Sequence, residues 1–219
     1  MQTVDIEVVS DFICPWCWIG HRNLKEGIRI AGLDADRVRV RFSPFELNPA
    51  MPLGGLNRQE YRSRKFGSSA RSQSMDAEVT MAGRRVGAEF NYDRVEVTPN
   101  TRLAHRLMGW AQEHGDNTRI EALPEAIFAA YFSEGKDIGA VDVLVEIATS
   151  TGFNALAVRA FLLSQALERE VTAKEHQAHA DGVQSVPSIR IAGRQISGAQ
   201  PPAVMAKTLK AASSFESLT

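Results

Sequence analysis

The chain has 219 residues, 44% of them hydrophobic and 23% charged, with a formal net charge of −1. That length buries a sizeable core but is short for two independent domains, and a near-neutral balance lacks the concentrated basic face that nucleic acid demands. No apolar run is long enough to span a bilayer and no internal repeat appears, so one globular fold with an insertion is expected, with neither a nucleic-acid nor a membrane partner.

Val4, Ile6 and Val8 alternate with Asp5 and Glu7, the period of a strand, and the pattern stops at Ser10-Asp11. Residues 1–10 lack a basic segment followed by an apolar run, so no secretory leader is read there and a cytoplasmic location is expected. From Cys14 the spacing becomes helical, with Cys17, Gly20, Leu24 and Ile28 on one face and Gly32 as a stop. Val38, Val40 and Phe42 alternate with Arg37, Arg39 and Arg41, a second strand expected at a sheet edge with one wet face.

Between Pro44 and about Leu167 the periodicity is helical, as in Met75, Val79, Ala82 and Val86 or Leu103, Leu107 and Trp110. The arginine-rich stretch Arg58, Arg62, Arg64, Lys65 and Arg71 reads as a solvated helical face. A polar helix over 168–180 leads to Val186-Pro187, two short strands flank Gly193, and Pro201-Pro202 open a last helix. The order β-α-β, helices, α-β-β-α predicts an α/β protein: residues 1–45 and 168–219 form one domain and 46–167 a helical insertion.

The chain's two cysteines are Cys14 and Cys17, separated by Pro15 and Trp16. A disulfide between them closes too small a loop to serve as a staple, because cross-linking entropy depends on loop length, so the pair is read as catalytic or redox-sensing. Pro15 has no amide hydrogen to lose and its φ suits a first helical position, which leaves Cys14 at the cap. There the unpaired amides and positive end of the helix favour a thiolate, on a sulfur expected to be at least partly exposed. Cys17, one turn on along the inner stripe, should be more buried and remain a thiol. Cys14 is therefore assigned the attack and Cys17 the resolution of a mixed disulfide. A zinc site would need four closed ligands, and His21 supplies only a third, so no metal is expected; His21, His176 and His179 are read as surface residues.

With C-x-x-C behind the first strand and Val186-Pro187 before the third, the chain resembles the thioredoxin superfamily, and its helical insertion is similar to that of the DsbA family. The FrnE-like group is the nearest match, through Ser10-Asp11-Phe12-Ile13-Cys14-Pro15-Trp16-Cys17, Pro44-Phe45-Glu46-Leu47-Asn48-Pro49, Gly182-Val183-Gln184-Ser185-Val186-Pro187 and Ile196-Ser197-Gly198-Ala199-Gln200-Pro201. The resemblance implies a thioredoxin fold with a large all-helical insertion and a thiol-disulfide oxidoreductase in which Pro187 is cis and faces the dithiol. Pro15, Trp16 and the backbone of Val186 would then bind substrate, Val186 by pairing with an extended strand.

Trp16 stands where DsbA carries histidine, so strong oxidase activity does not follow. Related glutathione-dependent transferases and hydroxychromene-carboxylate isomerases place serine at the position of Cys14. An isomerase or transferase of that kind is the second reading, and a redox-sensing chaperone or binding module the third. Partners are protein or small-molecule thiols and disulfides; beyond the dithiol no cofactor is expected, with glutathione open as a co-substrate and a homodimer open as the assembly. Of the large aromatics around the motif, Trp18 and Phe45 are expected in the core and Trp16 near solvent.

Overall fold

Residues 3–215 are described by a computed structural model; residues 1–2 and 216–219, which fall in the two expected outer segments, lie outside the described residues. Strand β1 (Val4–Ser10) buries Val4, Ile6 and Val8 and keeps Asp5 exposed, as its alternation predicts. Helix α1 (Pro15–Ala31) follows and is closed by Gly32 in the left-handed region at φ 70°, a conformation that costs glycine nothing, with its N–H donating to the Arg29 carbonyl. Strand β2 (Val38–Pro44) returns parallel to β1, which a helical crossover permits and a tight turn does not.

The register runs from Val4 opposite Val38 to Ser10 opposite Pro44. Both strands therefore end at the same level, and the residues after each emerge side by side. Strand β5 (Ser188–Ile191) pairs antiparallel on the other side of β1, with Ser188 opposite Val9, and β6 (Arg194–Ser197) pairs with β5. The sheet order is β2-β1-β5-β6, with β2 at an edge as expected. Because β5 starts just after Pro187 where β1 ends, one end of the sheet collects the Cys14 motif, the Pro44 segment and the Val186-Pro187 turn.

Between β2 and β5 lie α2 (Arg58–Phe66), α3 (Ser69–Arg84), α4 (Arg102–His114), α5 (Asn117–Phe132), α6 (Val141–Ser150), α7 (Ala155–Leu163) and α8 (Glu168–Ala180), the last matching its expected limits. A ladder of two-residue strands, β3 (Leu56–Asn57) with β4 (Val97–Thr98), corrects the reading of this block as wholly helical. Two residues are too few to display an alternation, so nothing in the pattern announced it. No helix among the described residues is long and apolar enough to cross a membrane.

The β2 edge is partly closed by a side chain. Gln112 of α4 accepts from the Phe42 N–H at 2.7 Å and donates to the Phe42 carbonyl at 3.0 Å, pairing with the strand as a neighbouring strand would. Helix α9 (Pro202–Phe215) lies along α1. Gly27 makes that approach feasible: a Cβ there would sit 2.5 Å from Met205 Cβ and 3.1 Å from the Pro202 carbonyl. Gly27→Ala should therefore cost stability, since overpacking of about 1–3 kcal/mol exceeds the roughly 1 kcal/mol that alanine gains in a helix. A lower urea midpoint with unchanged slope is expected; an equal or higher midpoint would show that α9 yields freely.

Candidate active site

Cys14 occupies the N-cap of α1 with extended backbone (φ −90°, ψ 112°), and Pro15 takes the first helical position. The Cys14 N–H donates to the Asp11 carbonyl at 3.0 Å, and the Cys17 N–H donates to the Cys14 carbonyl at 3.0 Å, so the motif winds into the helix without a break. The Val186–Pro187 peptide bond is cis, and the Cys14 thiol donates to the Val186 carbonyl with Sγ 3.7 Å from the oxygen. Gly20 lets that turn lie on α1, because a Cβ there would be 2.9 Å from Pro187 Cγ. Cys14, Cys17, Val186 and Pro187 thus meet although 172 residues separate Cys14 from Val186.

The cysteines are unlinked and both buried, Cys14 at 5% exposure and Cys17 at 1%. The first figure corrects the expectation of a partly exposed Cys14. A helix N-cap on its own would be open, but the Val186-Pro187 turn and the insertion close over it. Access runs through a cavity of about 190 Å³ lined by Ile13, Cys14, Pro15, Trp16 and residues of α2 and α3. Trp16, 38% exposed, forms part of its rim, near solvent as its place in the motif suggested. At Cys17, burial raises the thiol pKa well above its ordinary value, and the adjoining Cys14 adds to this; a hydrogen bond from the Asp11 backbone opposes it. Cys17 is held as a thiol.

Beneath the motif lies a polar network that sequence reasoning did not find. Asp11, fully buried, accepts from the Leu47 N–H at 2.7 Å and the Ile13 N–H at 3.5 Å, and its carboxylate lies 3.4 Å from His105 Nε2 on α4. Glu46, one residue before Leu47, pairs with Arg102 of α4 at 2.5 Å, while its own N–H donates to Glu175 of α8 at 2.9 Å. Burial and the Glu175 carboxylate push the Glu46 carboxyl up to about 7, with Arg102 opposing. These residues belong to segments 36 to 129 positions apart, a distance at which local pattern carries no signal.

Aromatic packing holds α1 from the other side. Trp18 donates through Nε1 to Glu125 of α5 at 3.0 Å, stacks on Phe128 and Phe132, and meets Phe90 edge-on. Trp18 and Phe45 are buried, as expected of them. His21 is not the surface residue anticipated. It is buried between Phe42 and Phe128, and burial lowers its pKa to about 4 against the pull of Glu125, which keeps it neutral near pH 7. The arginine-rich face is corrected too. Arg58 and Arg62 are mostly buried on Asp76, at 2.9 and 2.8 Å, and both line the Cys14 cavity, whereas Arg64, Lys65 and Arg71 remain exposed.

Comparison with known proteins aligns with this geometry. The family model described as DSBA-like thioredoxin domain matches residues 5–210. The uncharacterized protein YwbO of Bacillus subtilis (strain 168) is 29% identical over 215 residues, which cover 95% of this chain and 96% of YwbO. The crystal structure of a probable DsbA oxidoreductase from Streptomyces coelicolor superimposes with a TM-score of 0.84 at 28% identity, covering 96% of this chain and 90% of that one. The cytosolic disulfide reductase DsbM from Pseudomonas aeruginosa, solved with GSH, shares the fold at a TM-score of 0.61 and 15% identity, covering 98% of each chain.

The raised Glu46 carboxyl has a consequence for stability. Its proton is held more tightly in the folded than in the unfolded chain, so the contribution is complete below about pH 4.5 and is lost as pH rises through about 7. Between those limits the unfolding free energy of the wild type should fall relative to Glu46→Gln, which cannot titrate. Urea unfolding of both proteins across the range measures the difference; one that stays level or grows with pH would contradict the assignment.

Proposed function

This chain belongs to the DSBA-like thioredoxin domain family, and from that premise we propose that it is a dithiol-disulfide oxidoreductase in which Cys14 attacks and Cys17 resolves. The observation that carries the reading is the placement of Cys14 Sγ at a helix N-cap, 3.7 Å from the Val186 carbonyl of a cis-proline turn, with a more deeply buried thiol one turn behind it. Its FrnE-like character rests on the four sequence segments named above.

In the oxidising direction for the protein, the Cys14 thiolate attacks one sulfur of a substrate disulfide. The Cys14–substrate bond forms, the substrate disulfide breaks, and one thiolate leaves. Cys17 then loses its proton and attacks Cys14 Sγ, which closes the Cys14–Cys17 disulfide and expels the second substrate thiolate. Two electrons pass from the dithiol to the substrate, and the reverse sequence oxidises a substrate dithiol. Burial raises the Cys17 pKa and keeps its sulfur protonated while Cys14 opens the reaction, which supports the assignment of roles.

Pro187 and the Val186 backbone flank the sulfur where an extended substrate would lie, and Pro15 with Trp16 forms the approach to it. A cytoplasmic setting, with low-molecular-weight thiols including glutathione as redox partners, accompanies this reading; DsbM, cytosolic and solved with GSH, supports it by analogy of fold.

Cys14→Ser should abolish turnover of a model disulfide. Cys17→Ser should instead trap the mixed disulfide on Cys14, visible as an added substrate mass in intact-protein mass spectrometry and removed by dithiothreitol. Undiminished turnover in Cys14→Ser, or in the double serine variant, would overturn the redox reading in favour of a reaction that does not use the cysteines.

A further inference from the structure

The cavity beside Cys14 has a charge that dithiol chemistry does not require. Its charged lining residues are Arg58, Arg62, Lys65 and Asp76, three cations against one carboxylate, in a chain whose net charge is −1. Asp76 is shared: Arg58 Nη2 meets both of its oxygens at 2.9 Å and Arg62 Nη2 meets one at 2.8 Å. Lys65 forms no ion pair among the described residues. Its Nζ donates to Asn48 Oδ1 at 2.7 Å and to the Tyr61 hydroxyl at 3.0 Å, and an ammonium has three donors, so one remains. Arg62 also donates through Nε to Ser72 Oγ at 2.8 Å, and burial lowers its pKa, with Asp76 opposing and Arg58 adding to the shift.

The size of the space limits what enters. At about 190 Å³ it holds the volume of roughly six waters, enough for a group of amino-acid size and too little for a folded segment. A guest whose sulfur reaches Cys14 would set its remaining polar groups against the wall formed by Lys65 and Arg62. A carboxylate there accepts the spare Lys65 N–H and offsets the excess positive charge.

We propose that this cavity is a carboxylate-binding subsite, with Lys65 and Arg62 as its cationic wall, and that the dithiol reacts preferentially with small anionic thiols and disulfides. The inference rests on Cys14 being the attacking sulfur and adds the substrate class. In the reaction tested, Cys14 attacks a carboxylate-bearing disulfide, one half leaves as a thiolate, the other is held with its carboxylate on Lys65, and Cys17 displaces it. The protein dithiol is oxidised by two electrons and the small disulfide is reduced to two thiols.

The test uses the full chain, reduced and then mixed with anionic oxidised glutathione, neutral hydroxyethyl disulfide or cationic cystamine, with loss of free thiols followed by alkylation and mass spectrometry. Lys65 is exposed, so Lys65→Gln and Lys65→Glu should fold, which circular dichroism verifies. Lys65→Glu should slow oxidation by glutathione disulfide about tenfold, leave hydroxyethyl disulfide within about twofold, and speed cystamine, with Lys65→Gln in between. Lys65→Arg should retain the wild-type ranking. If Lys65→Glu alters all three rates by one factor, or none, the subsite is overturned while the Cys14 assignment stands. If none of the disulfides reacts in a Cys14-dependent manner, both fall.

Discussion

A buried carboxylate is tolerable only when donors close on it, and Asp11 meets that condition by drawing three separate parts of the chain together. Its donors are the amides of Ile13, in the turn before α1, and Leu47, in the segment after β2, and the His105 ring of the insertion helix α4 stands 3.4 Å from the same carboxylate. Its own backbone carbonyl receives the Cys14 N–H. Asp11 is at 0% exposure, so loss of the Leu47 amide would leave a buried carboxyl oxygen short of a donor, and the position of the dithiol, the course of the Pro44–Asn48 segment and the docking of the insertion are set together. A second polar network, of Glu46, Arg102 and Glu175, lies one step further along and fastens the same segment to α4 and α8.

On the opposite side the linkage is apolar. Trp18, His21, Phe90, Phe128 and Phe132 form a continuous ring-on-ring cluster between α1 and α5, and Glu125 closes it by accepting from Trp18 and Arg22. Helix α1 is thus gripped along its length while its N-terminus faces a small cavity. A helix start with an enclosed sulfur differs from an open surface dithiol in one respect that matters for chemistry: a guest must fit the space beside Cys14 to reach it.

Much of the fold was readable because strand and helix periods are local properties. The alternation of Val4, Ile6 and Val8, the proline at the first helical position, the stop at Gly32 and the polar helix over 168–180 all depend on neighbours within a few residues, and each appears where the pattern put it. The departures share a cause as well. His21, Arg58 and Arg62 looked like surface residues because each is polar and was judged without knowledge of what covers it. Phe42 and Phe128 bury the first, and Asp76 with the rings of Tyr92 and Phe66 buries the other two. The β3–β4 ladder escaped because two residues have no period.

Taken alone, the order of residues determined a dithiol between a strand and a helix, an α/β framework interrupted by helices, and an asymmetry between a capping cysteine and one on the inner stripe. Those follow from backbone preferences and side-chain spacing over one or two turns. Only the folded chain decided that Cys14 would be enclosed, that Val186 and Pro187 would stand against it, and that Asp11, His105, Glu46 and Arg102 would share one buried network. Such contacts join positions tens to more than a hundred residues apart, and they are selected by which faces meet when the sheet register and the helix packing are satisfied at once.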